Sequence, residues 1–130
     1  MSTSSKSIDT FIEAAGNGNE ETVLSLLNRN EVNVNDKDND GNTALIMAAI
    51  KNHERMVSLL IDRGADINSK DNDGETALYW AEMENNPNII SIIQKVNKYL
   101  FLLINNEYIW FIGYFCILIL INNCVIILRM

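Results

Sequence analysis

The residues best placed to do chemistry are two acidic runs one repeat apart. Asp36-x-Asp38-x-Asp40-Gly41 copies the first half of a calcium-binding loop, and Ser69-x-Asp71-x-Asp73-Gly74 nearly does. Such a loop needs a bidentate Glu at its twelfth position, because two carboxylate oxygens on one residue complete the cation's oxygen shell. Met47 and Trp80 stand at those positions, so the runs read as Asp-rich turns. His53 is the chain's one histidine, which leaves no partner for a His-based triad or a paired-His zinc motif. Gly16-x-Gly18 lacks the third glycine of a dinucleotide loop, since Glu21 occupies that place. Carboxylates are abundant, but no pair stands in surroundings that would split their pKa values into a general acid and a general base. No enzyme activity, metal or cofactor is expected.

The elements that carry these runs repeat. Asp38-Asn39-Asp40-Gly41-Asn42-Thr43-Ala44-Leu45 recurs 33 residues later as Asp71-Asn72-Asp73-Gly74-Glu75-Thr76-Ala77-Leu78. After each copy comes a small-residue helix, a polar break at Asn52-His53 or Asn85-Asn86, and a second helix. That second helix has apolar residues at helical spacing: Met56, Val57, Leu60 and Ile61, then Ile89, Ile90 and Ile93. A degenerate earlier copy places Phe11, Ala14, Ala15, Gly18, Val23, Leu24 and Leu27 in the matching positions. Thr43 and Thr76 are suited to cap the helices that follow them, and Asn86 to cap a helix opened by Pro87. Gly41 and Gly74 supply positive φ in their turns, and Asn30 tolerates the left-handed conformation where the first unit would otherwise end on Gly. A helix pair of this size cannot bury its apolar face alone, so each unit leans on its neighbour, and three units is close to the minimum.

These residues make the chain resemble the ankyrin-repeat family. The middle unit has most of the pattern: Asp38, Gly41, Thr43, Leu45, Ala48, Ala49, His53, Val57, Leu59, Leu60, Gly64-Ala65-Asp66 and Asn68. The resemblance, which covers roughly residues 7–96, implies an all-α fold, an ankyrin-repeat solenoid of stacked helix-turn-helix units with turn tips; the apolar run after it is expected as a C-terminal hydrophobic helix. Residues 1–6 are expected as a polar segment, residues 7–98 as the repeats (7–37, 38–70 and 71–98), and residues 99–130 as an apolar tail. The family's usual Thr-Pro-Leu-His reads Thr43-Ala44-Leu45-Ile46 and Thr76-Ala77-Leu78-Tyr79 here, which predicts a softer array without the Pro and His contributions. Glu82 replaces the Ala49 of the middle unit, as suits an end repeat with a polar outer face.

The function the resemblance implies is protein–protein interaction through variable residues at the turn tips and along the first helices. In this chain those are Asn39, Asp40, Asn42, Ile50 and Lys51 in the middle unit, and Asn72, Asp73, Glu75, Met83 and Glu84 in the last. The partner is a protein of unidentified kind, and oligomeric state is left open. Residues 1–98 hold nine Lys and Arg against sixteen Asp and Glu, so the net charge of −7 resides there. An acidic surface repels phosphate backbones, which argues against nucleic acid. The absence of a signal peptide at the N-terminus and of cysteine before Cys116 fits a cytoplasmic repeat domain. On a common helix Cys116 and Cys124 would sit roughly 12 Å apart along the axis, beyond disulfide reach.

The tail is a second signal. Residues 108–128 run 21 positions without a charge, with Tyr108 and Trp110 at one end and Arg129 beyond the other, which resembles a transmembrane helix inserted after synthesis. Asn122 and Asn123 oppose insertion. Two other readings stay open: a cap over the last repeat, or an AT-rich frame-shift product that truncates a longer repeat protein. The chain therefore reads as an adaptor with a candidate membrane tether, against a small integral membrane protein whose tail does the work, or a remnant.

Overall fold

The structure, a computed structural model, describes residues 2–104. The expected span at 108–128 and both cysteines lie outside the described residues. Six helices follow in order: α1 Ser2–Gly16, α2 Glu20–Asn28, α3 Ala44–Ile50, α4 Glu54–Asp62, α5 Ala77–Met83 and α6 Pro87–Ile104. Among the described residues there is no strand, and the one β-bridge joins Lys37 to Thr43 at the base of a turn. None of these helices is long and apolar enough to cross a membrane.

The chain divides into two compact parts, Met1–Ile93 and Gln94–Met130. In the first, α1, α3 and α5 pack side by side, with α2 against α1 and α4 against α3. Alanines make this possible: Ala14, Ala15, Ala48, Ala49, Ala77 and Ala81 are all buried, and their small side chains let the helices approach closely. α3 has neighbours on three sides, and its Ala44, Leu45, Ile46, Ala48 and Ala49 are buried accordingly. A helix that is apolar all round is a buried helix. α4 is amphipathic, burying Met56, Val57 and Leu60 and turning Arg55, Asp62 and Arg63 toward solvent. α5 buries only Ala77 and Ala81, while Tyr79, Glu82 and Met83 are exposed. The repeat position of Glu82 is thus at the surface, as its charge requires.

Local chemistry sets the ends of these helices. Thr43 and Thr76 take extended backbone, and their hydroxyl oxygens accept from the N–H of Ile46 (3.2 Å) and Tyr79 (3.3 Å). The Asn19 and Asn86 side chains do the same for α2 and α6. Asn52 and Asn85, expected only as polar breaks, adopt positive φ of 61° and 54°, as Gly18 does at 70° in the first unit. Asn tolerates this conformation better than other side chains, so each helix pair turns on the same left-handed residue. Asn30 is also left-handed, at 55°. The two threonines differ in burial, Thr43 being 2% exposed and Thr76 half-buried. Thr43→Ala is therefore expected to cost about 1–2 kcal/mol, since it strands a buried N–H, and Thr76→Ala about half that. Urea unfolding followed by helical circular dichroism measures both.

The polar segment 1–6 is helical from Ser2 and continuous with α1. At the other end α6 continues through Lys98 and Tyr99 to Ile104 without a break. In the earlier units the second helix is followed by positive φ at Asn30 or Gly64; Asn97, one repeat after Gly64, stays helical, and good helix formers follow it. In the second part the described residues are the later part of α6, where Tyr99, Leu100 and Phe101 are exposed.

Candidate functional site

Each tip is built by one aspartate folded onto its own turn. Asp38 Oδ1 accepts from the N–H of Asp40 (3.0 Å) and Asn42 (2.8 Å). Asp71 Oδ1 accepts from the N–H of Asp73 (3.0 Å) and Glu75 (2.9 Å). The backbone closes the same way in both, Asp38 N–H to Asn42 and Asp71 N–H to Glu75, with Gly41 and Gly74 donating back to the aspartate carbonyls. The resemblance to a calcium loop is thus accounted for by turn geometry. Carboxylate oxygens of Asp71, Asp73 and Glu75 do lie within 4.8 Å of one another. Trp80, at the position where a calcium loop needs Glu, instead donates its indole N–H to Asp71 Oδ2 (3.1 Å).

The two tips are also tied to each other across one repeat. Asn72 donates its backbone N–H to the Asp40 carbonyl (3.0 Å) and its side-chain amide to the Asn39 carbonyl (3.0 Å). Lys37 donates its ammonium to the Lys70 carbonyl. Asn35 Oδ1 accepts from Asp66 N–H (2.7 Å), and on the far side Asn86 and Asn88 donate to Asn52 and Glu54. His53 lies over Gly18, where a Cβ would meet its Nδ1 at 2.9 Å. It is a packing residue between the first two units.

Burial pushes the Asp71 carboxyl upward, but the donors from Glu75, Trp80, Asp73 and Gly74 outweigh it and hold the group below its ordinary value of 3.8. A carboxyl that titrates lower when folded contributes stability above the unfolded value and loses it as pH falls through the folded one. Asp71→Asn is therefore expected to lower stability near neutral pH and to flatten the loss below about pH 4. Urea midpoints at neutral and acidic pH check both effects. Tyr79 lies edge-on to Trp80 at 5.6 Å, and the Glu75 carboxylate beside it raises its pKa.

The ten residues expected to meet a partner are placed as follows. Asn39, Asp40, Asn72 and Asp73 are exposed at the tips, and Asn42 and Glu75 are half-buried beside them. Lys51 and Glu84 are exposed at the C-caps of α3 and α5, with Ile50 half-buried and Met83 58% exposed. The side chain of Asn72 and the carbonyls of Asn39 and Asp40 are engaged in tying the tips together.

The structure also opens a groove of about 240 Å³ that lies largely outside these ten residues. Asp9, Ile12, Glu13, Gly16 and Asn17 of the first unit line it with Asp38, Met47 and Lys51 of the second, and of the ten only Lys51 takes part. The first unit is degenerate, so only its core positions are recognisable in sequence. The one available signal is Gly16, a helix-end glycine at the position held by Ile50 one repeat later.

Three successive helix pairs, with the tips of the second and third tied together, define a repeat array of helix-turn-helix units. The family model described as ankyrin repeats, in three copies, matches residues 11–100, and the chain belongs to the ankyrin-repeat family. No curated protein matches the chain. Ankyrin repeats are a protein–protein interaction module.

Proposed function

We propose that the chain is a non-catalytic adaptor that meets a protein partner through α3, α5 and the tips. The supporting observation is Met83, an apolar side chain left 58% exposed beside the charged Glu84 at the end of α5. An exposed apolar side chain ringed by polar ones is the pattern of an interface anchor. Photo-cross-linkers placed at Met83 and at Asp62, which is exposed at the end of α4 and outside the proposed surface, test the reading in cells. Adducts from Met83 but not Asp62 support it; adducts only from Asp62 overturn it.

The apolar run at 108–128 supports a second proposal, that the adaptor is tethered to a membrane with its repeats in the cytoplasm. Alkaline-carbonate extraction distinguishes the readings of this run. The full chain is expected in the membrane pellet, with a version ending at Lys98 soluble and helical. A soluble, folded full chain favours the cap, and aggregation of the full chain alone favours the remnant.

A further inference from the structure

We propose that the groove between α1 and α3 receives a basic, extended protein segment, an aliphatic side chain resting on Ile12 and Met47 and flanking Lys or Arg residues meeting Asp9, Glu13 and Asp38. This rests on the reading of the first helices and tips as a partner surface and names the partner's chemistry.

The groove has an apolar floor because α1 ends without a side chain. A Cβ on Gly16 would meet Met47 Cγ at 2.7 Å, so Met47 lies directly against the glycine, beside the buried Ile12. One repeat on, Ile50 and Trp80 occupy the positions of Gly16 and Met47, and Trp80 is drawn to Asp71 by its indole hydrogen bond. The interval between α1 and α3 thus has the smaller side chains. A floor of this kind suits an aliphatic group from a partner, which removes apolar surface from water on both sides.

The rim selects the sign of the partner's charge. Asp9, Glu13 and Asp38 face one cation, Lys51. The imbalance extends along the whole layer. Residues 6–17, 36–51 and 70–84, which hold the tips, α3, α5 and most of α1, carry ten carboxylates against four lysines. The outer segments between residues 18 and 93, namely 18–35, 52–69 and 85–93, carry six carboxylates against three arginines. Ion pairing adds to the contrast: Arg29–Glu31 and Arg55–Glu20, the ion pairs among the described residues, both lie on the outer segments. Carboxylates on the groove side are left to attract cations from solution, and a potential of one sign steers and orients a partner of the other.

The test is selection of short random peptides on the immobilised full chain, followed by affinity measurements on the winners. Peptides with at least two Lys or Arg around an aliphatic residue are expected, and their affinity should fall about tenfold between low and high salt. The exposed pair Asp9→Asn, Glu13→Gln should weaken them about fivefold, whereas Lys51→Glu should strengthen them about twofold, an opposite sign that loss of folding cannot produce. A photo-cross-linker at Asn17 locates the contact. Winners that lack cations yet cross-link at Asn17 overturn the basic partner and leave the interaction surface standing. Winners that cross-link only at Asp62, or no winners at all, overturn both.

Discussion

Gly41→Ala is expected to destabilise the array by about 3 kcal/mol or more, and Gly74→Ala by only about 1 kcal/mol, although the two glycines occupy the same place in consecutive repeats. Both have positive φ, 80° and 84°, and so share the cost of a left-handed alanine. Only Gly41 has a neighbour in the way. A Cβ there would meet the Asn72 backbone nitrogen at 2.8 Å and its Oδ1 at 2.5 Å, whereas nothing lies within 4 Å of one at Gly74. Asn72 cannot step aside without loss, because its N–H and its amide make two of the bonds that tie the second tip to the first. The methyl therefore strains one turn and breaks the link between two. Urea denaturation of the two variants beside the parent gives the comparison, and equal losses would mean that the tips do not couple the repeats.

Phe11→Ala is expected to cost about 3–5 kcal/mol. Phe11 is fully buried on α1, a helix that packs against both α2 and α3. Truncation leaves a cavity that a three-unit array has little means to close, since the first unit leans on one neighbour only. Total stability of a domain this size is about 5–15 kcal/mol, so the variant is expected to lose much of it, and to unfold α1 and α2 before the rest. Hydrogen exchange that reports α1 and α2 separately from α3 and α4 checks this order. Met83→Ala, at an exposed position, should stay within about 0.5 kcal/mol of the parent while removing the proposed anchor, which separates a binding defect from a folding one.

The sequence by itself determined the family, the number of units and the places where α3, α5 and α6 begin. Those features are local. The Asp38 and Asp71 turns close within five residues, the Thr43 and Thr76 caps within four, and a repeat shows itself as the same residues at a fixed offset. It also determined that Glu82 belongs at a surface, because an unpaired charge is costly to bury. The left-handed Asn52 and Asn85 were within reach of the same local reasoning, yet Asn at a polar break has several conformations open to it and only the helix that follows selects one. Tertiary structure alone decided what happens between units: that Asn72 is consumed in holding Asn39 and Asp40, that Gly41 is crowded where Gly74 is free, and that Gly16 and Met47 leave a groove with carboxylates on its rim. The physical reason is common to all three. Each depends on side chains about one repeat apart being brought within a few ångströms, and no pattern read along the chain states how two such residues share the space between them.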